Sequence, residues 1–316
     1  MQPAATETSA SLLPRLHSPD RFRLLAWGVL AYNLAVILWG ALVRATGSGA
    51  GCGGHWPLCN GDVLPEISRS ATAIEFTHRV MSGAALLAVV ALFGWARKAL
   101  PRRHPARRWA AWSLVFICSE ALIGAALVLL GHVAGNESVG RVYSLATHLV
   151  NTFVLLACLA LTAWRAPDPV SAGRRKHQWR LTVALVAVIL VAVAGAITAL
   201  GDTLFPASTL AQGVADDFAA TANFLVRLRI IHPMLAVLAG VYLAALAAPE
   251  YRARRSPRLR ALSGWLLALV LTELMAGGIS VLLGAPVWMQ LIHLLAADLV
   301  WIALVLFASE RLRPAG

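Results

Sequence analysis

A chain of 316 residues that is 59% hydrophobic and 13% charged is more apolar and less charged than soluble domains, where about half and about a quarter are usual. Its formal net charge of +12 would suit a nucleic-acid partner, but the placement of that charge argues for a membrane and against nucleic acid. The apolar residues gather in runs of about 20, the length that crosses a hydrocarbon core. In chain order these are Leu24–Val43, Ala73–Trp95, Ala110–Leu130, Tyr143–Trp164, Leu181–Leu200, Leu228–Ala248, Leu259–Leu283 and Val287–Phe307. Eight such runs predict an all-α integral membrane protein in contact with the lipid bilayer.

All but six of the 27 Lys and Arg lie in the N-terminal tail, in the loops after the second, fourth and sixth runs, and in the C-terminal tail. The exceptions are Arg44, Arg69, Arg79, Arg141, Arg227 and Arg229. Basic loops stay on the cytoplasmic side, so both termini are expected there, with loops 1–2, 3–4, 5–6 and 7–8 outside. Basic clusters such as Arg102, Arg103, Arg107 and Arg108 then face anionic headgroups. The polar start Met1–Pro19 leads into a run long enough to span, unlike a cleavable signal. It also lacks the Arg-rich look of an organelle transit peptide, which favours a bacterial inner membrane. Cys118 and Cys158 fall inside runs and read as buried, inert thiols. Cys52 and Cys59 fall in the first outer loop, where a disulfide persists, as a structural staple or a redox-active pair.

The sequence repeats itself. Ser119-Glu120, Gly124 and Val128-Leu129-Leu130-Gly131 recur as Thr272-Glu273, Gly277 and Val281-Leu282-Leu283-Gly284. His78 in the second run answers to His232 in the sixth, His148 in the fourth to His293 in the eighth, and Gly40-Ala41-Leu42 to Gly195-Ala196-Ile197. Repeats of an even number of spans keep their orientation. The expected architecture is therefore two tandem four-helix bundles related by a pseudo-two-fold axis along the membrane normal. The divisions are a cytoplasmic tail 1–23, an N-terminal half 24–164, a cytoplasmic linker 165–180, a C-terminal half 181–308 and a cytoplasmic tail 309–316.

Of nine histidines, His78, His148, His232 and His293 lie within spans, all within about two turns of the outer end. A lone histidine there is most simply a hydrogen-bonded core residue. Two matched pairs at one depth instead suit ligation of haem iron. Zinc or copper is a further option, though no Cys or carboxylate cluster accompanies them. Glu75 stands three residues before His78, on the same helix face and nearer the outer surface. It reads either as a group acting beside a haem edge or as an interfacial acid capping its helix. At the matching place the second half has Arg229, suited to pairing with a haem propionate, so the two sites are not equivalent. Glu120 and Glu273, deeper in the spans, read as structural partners for a neighbouring helix or a ligand's second ring nitrogen. The Gly-rich stretch Gly47–Gly54 follows a membrane helix and lacks a P-loop Lys, so it reads as a lid over the first site.

The run Gly40-Ala-Leu-Val-Arg-Ala-Thr-Gly-Ser-Gly, the loop Cys52 to Gly61 with Trp56-Pro57-Leu58, and Glu75-Phe76-Thr77-His78-Arg79 closely resemble haem A synthase. The resemblance covers nearly the whole chain. It implies an oxidoreductase that converts the C8 methyl of haem O to a formyl group, giving haem A for terminal oxidases. It implies His78 and His148 as ligands of the substrate iron, with Glu75 an essential carboxylate. It makes His232 and His293 the ligands of a resident haem b, and Cys52 and Cys59 the outer pair. It also implies haem O synthase as a pathway partner and an electron donor. Some bacterial members carry a second cysteine pair between spans five and six, which Gly201–Leu225 lacks. A di-haem b, quinone-linked electron carrier explains the histidines but neither the Glu75–Arg229 asymmetry nor the loop. A transporter would more typically show helices broken at mid-membrane.

Overall fold

The computed structural model describes residues 19–167, 178–207, 209–219, 223–253 and 256–313. Most of the N-terminal tail, positions 168–177 of the linker and the last three residues lie outside these. Among the described residues the regular structure is helical, apart from one isolated bridge between Cys59 and Asp62 in the loop after the first span. The elements are α1 Pro19–Ala45, α2 Ser70–Ala99, α3 Pro105–Leu129, α4 Val139–Arg165, α5 Gln178–Leu204, α6 Leu210–Phe218, α7 Phe224–Arg227, α8 Ile231–Ala253, α9 Pro257–Leu282 and α10 Val287–Arg311. Among the described residues, eight helices are long and apolar enough to cross a bilayer, the sixth counted from Phe224 through α7 and α8. A helix suits that medium because it satisfies its own backbone N–H and C=O groups.

Helix ends follow local chemistry. Pro105 and Pro257 open α3 and α9, where a missing N–H costs nothing, and His104 and Ser256 accept the next free amides. Gly131 and Gly284 close α3 and α9 at φ 65° and 73°, a left-handed turn that glycine adopts without strain. Each cap is completed by a back-reaching amide, His132 to Leu127 at 2.9 Å and Ala285 to Ser280 at 2.7 Å. This explains why the repeated strings end in glycine.

The structure differs from the sequence reading at three places. The sixth span does not run unbroken from Leu228. A 3-10 turn, Leu228–Ile230, precedes α8, and Pro233 falls in its first turn, where proline is tolerated. At the other end α8 continues through Pro249 to Ala253. Loop 5–6 contains α6, capped by Thr209 accepting from Gln212 N. Cys118, expected to be buried, is exposed on α3, because an apolar run does not reveal which face meets lipid.

At the centre lie α4 and α10. Half of the α4 span and 61% of the α10 span are buried, against 17–28% for the other six. Phe153 stacks on Trp301 with centroids 5.2 Å apart, and Trp301 Nε1 donates to Phe153 O at 2.7 Å. At the far end Arg165 donates to the backbone and hydroxyl of Ser309. The peripheral helices present Leu87, Leu122, Leu190, Leu238 and Leu271 outward, as lipid-facing surfaces do. The two central helices carry His148 and His293.

Candidate functional site

The first site is assembled on α1 to α4. The His78 ring rests on helix α1 at Gly40, where a Cβ would lie 3.0 Å from Cε1. Its Nδ1 is buried without a hydrogen-bond partner, and it lies within electrostatic reach of His148. The edge of the His148 ring meets Gly124 on α3, and its Nδ1 stands 3.3 Å from Glu120 Oε1. That carboxylate is held from α4, accepting from Asn151 Nδ2 at 2.5 Å and from the Thr152 hydroxyl. Ser119 in turn donates to Asn151 Oδ1 at 2.7 Å.

Glu75 is buried at 4% exposure, and both of its oxygens are engaged. Oε2 accepts the Cys52 amide at 2.8 Å, while Oε1 accepts from Arg79 Nη2 at 2.6 Å. Arg79 also donates to the carbonyls of His55 at 2.7 Å and Leu58 at 2.6 Å. The Cys52–Cys59 disulfide is formed, with both residues buried. Thr72 donates to Gly51 O at 2.8 Å, and a Cβ at Gly51 would fall 2.4 Å from the Ala71 carbonyl. The loop is thus fastened along the first two turns of α2. Glu75 spends its acceptors on this loop and Arg79, not on the terminal amides of its own helix.

The second site repeats part of this design. The His232 ring rests on Gly195 of α5, where a Cβ would lie 2.8 Å from Cε1, and the His293 ring on Gly277 of α9, at 3.0 Å. His232 Nδ1 pairs with Val191 O at 3.2 Å, and His293 Nδ1 stands 3.2 Å from Glu273 Oε2. The two rings face each other with centroids 6.3 Å apart and planes at 71°. Histidines that ligate metals commonly turn Nδ1 to a carbonyl or carboxylate and offer Nε2 to the metal. Two imidazoles sharing one metal at about 2 Å each bring their ring centres to roughly 6 Å. The His232–His293 spacing therefore fits a bis-histidine iron.

Arg229 is held by protein groups. It donates to Gly201 O at 2.9 Å and Phe205 O at 2.7 Å, and lies 2.9 Å from Asp202 and 3.7 Å from Asp217. Burial pushes the Asp217 carboxyl up, against the pull of Arg229. Arg44, at the end of α1, reaches α5 and α10, donating to Ala199 O at 2.7 Å, Thr203 at 2.9 Å and Gln290 at 3.0 Å. Sequence reasoning missed these aspartates and the role of Arg44, since no local spacing joins them. It noticed all four ring-bearing glycines within repeated strings, Gly124 with Gly277 and Gly40 with Gly195, without assigning them a purpose.

The glycine contacts are testable by stability. Gly195→Ala is expected to lower the thermal midpoint in detergent, because overpacking against His232 costs about 1–3 kcal/mol. Gly28→Ala, which meets nothing within 4 Å, should be neutral or gain up to about 1 kcal/mol from helix propensity. Equal behaviour of the two variants would show that the His232 ring does not depend on Gly195.

The COX15-CtaA family model, described as cytochrome oxidase assembly protein, matches residues 23–305. A Thermus thermophilus protein named protoheme IX farnesyltransferase is 47% identical over 290 residues, which is 91% of this chain and 48% of that one. A heme A synthase of Symbiobacterium thermophilum is 36% identical over 162 residues, 48% of this chain and 52% of its own. A heme A synthase of Geobacillus kaustophilus is 43% identical over 112 residues, 34% of this chain and 35% of its own. The chain spans about half the length of the Thermus relative it matches. With the family match running from the first span into the last, the chain belongs to the COX15-CtaA family of cytochrome oxidase assembly proteins.

Proposed function

We propose that this protein is a haem A synthase that oxidises the C8 methyl of haem O to a formyl group. The N-terminal half receives the substrate, with His78 and His148 as its iron ligands. The C-terminal half holds haem b through His232 and His293, and Arg229 stands ready to pair with a propionate beside its aspartates. When bound, that haem supplies a one-electron relay. The two halves are read as four-helix bundles about an axis along the membrane normal. The histidine sites then lie toward the outer face of a bacterial inner membrane, with both termini cytoplasmic.

One observation carries this reading: two sites share a glycine–histidine–glutamate framework, yet differ in the residue one turn from the first histidine. Glu75 gives the N-terminal site a fixed negative charge, held by Arg79 and the Cys52 amide and roofed by the disulfide loop. Arg229 gives the other site a cation bound to two aspartates. A carboxylate beside the reacting edge of a substrate serves to take up a proton or balance developing charge. An electron carrier has no use for that asymmetry. The Thermus relative is about twice as long as the matched segment and is named a farnesyltransferase of protoheme IX. A separate enzyme of that activity, making haem O, is the partner proposed here, together with an electron donor.

The test is extraction and chromatography of haems from a host that produces haem O, with and without this protein. Haem A is expected only where the protein is present. Purified protein carrying haem b in membranes that contain haem O alone, with an electron donor supplied, would favour the di-haem carrier and refute the synthase.

A further inference from the structure

Asp298 lies in α10, five residues beyond His293, and is fully buried at 0% exposure. Neither of its carboxyl oxygens has a hydrogen-bond partner among the described residues. An unpaired acid inside a membrane helix bundle is costly, and it marks a functional position with a partner to be named.

The internal repeat shows what is unusual about it. With His148 matched to His293, Asn151, Thr152 and Phe153 correspond to Ala296, Ala297 and Asp298. In the first half Asn151 and Thr152 donate to Glu120. In the second half both donors are alanine, and Glu273 Oε2, beside His293, has no hydrogen bond. A second acid, Asp298, has appeared at the next position along α10. A fully buried acid with neither oxygen partnered is a place where a proton can bind and leave, and the repeat puts it in the half that has lost the donors.

The surroundings contain little else that bears charge. Helix α10 packs against α1, α4, α5 and α9. From α9 the facing group is Glu273. The charged residues of α1 (Asp20, Arg21, Arg23, Arg44), α4 (Arg141, Arg165) and α5 (Arg180, Asp202) sit within two turns of the helix ends, as do Arg258 and Arg260 of α9. His148 is turned to Glu120, Tyr32 donates to Met81 O, and Cys158 of α4 is a thiol. On α10 itself, Glu310 and Arg311 close the helix.

We propose that Asp298 is a proton-exchange site coupled to the oxidation state of the haem held by His232 and His293, an inference that rests on the haem reading above. When a one-electron reductant of the quinol class delivers an electron to that site, the Asp298 carboxylate forms one O–H bond with a proton drawn from the aqueous side. When the electron leaves, that bond breaks and the proton returns. One negative and one positive charge arrive together, so the net charge of the buried site is unchanged. The first site, with Phe153 at this position, has no such group.

The experiment is a redox titration of the purified holoprotein across neutral pH, beside Asp298→Asn. The wild-type midpoint potential of the C-terminal haem should fall as pH rises. The slope should approach about 59 mV for each tenfold change in proton concentration, the one-electron conversion. Asp298→Asn, close in shape, should bind haem and flatten that slope. Redox-difference infrared spectra should show a neutral carboxyl band gained on reduction in the wild type and missing in the variant. A pH-independent wild-type potential, or an Asn variant that keeps the slope, overturns the proposal. Should the Asn variant lose its haem, Asp298→Glu decides: the slope persists if an acid there carries the proton, and a flat potential overturns the idea. Protein purified without any haem would instead overturn the haem reading, and this inference with it.

Discussion

Replacing Glu75 by alanine is expected to reduce haem A formation by at least about a hundredfold, the lower end of what a positioned acid or base contributes. The haem b of the C-terminal half should remain. The geometry gives this carboxylate two possible duties, and the variants separate them. It anchors the disulfide loop through the Cys52 amide, and it places a negative charge one turn from His78. Removing one partner of a buried ion pair costs about 3–5 kcal/mol, because the other charge is left behind. In Glu75→Ala, Arg79 keeps the His55 and Leu58 carbonyls but loses its counter-charge. Glu75→Gln keeps one acceptor oxygen, which can take the Cys52 amide, while its NH2 group replaces the oxygen facing Arg79 and the charge is removed. If the charge serves the chemistry, Gln should fail about as badly as Ala in the haem extraction assay while its loop stays docked. If the residue is only an anchor, Gln should restore most of the product. Full activity in both variants would remove Glu75 from the reaction altogether.

The spans were legible because a membrane imposes length and apolarity on every crossing segment, a constraint that acts on consecutive residues. Helix ends were less so: Pro249 invites a stop, yet α8 runs on to Ala253. The histidine pairs were legible through their repetition, and Glu75 through its spacing from His78. What holds them was not. Gly40 and Gly195 matter because rings from another helix lie on them, and Arg44 because α5 and α10 bring carbonyls to it. These partners are far apart in the chain, and no periodicity within one helix points across to another. Asp298 escaped notice for a different reason. An acid in an apolar run reads as a blemish until the matching residue, Phe153, is seen stacked on Trp301 at the centre of the fold.

Alanine at His232 or His293 is expected to strip haem b from purified protein, whereas alanine at His78 or His148 should leave it in place. The reason lies in the division of partners between the sites. His232 and His293 face each other at 6.3 Å, and their Nδ1 atoms are turned to Val191 O and Glu273. With Nδ1 engaged, Nε2 of each ring is the nitrogen that would hold the haem iron. Loss of either imidazole removes one of the two side chains that would hold the haem iron. The visible spectrum and the haem-to-protein ratio read this directly. A graded control is Glu273→Gln, which keeps the His293 ligand and weakens its orientation; partners of that kind are worth about 10–100-fold in metal affinity. Haem b content should then rank wild type, Glu273→Gln, and last the two histidine variants. Normal haem b in both His232→Ala and His293→Ala would contradict the assignment of the resident haem to the C-terminal half. Loss of haem b in His78→Ala alone would exchange the roles of the halves and leave Glu75 beside the relay instead of the substrate.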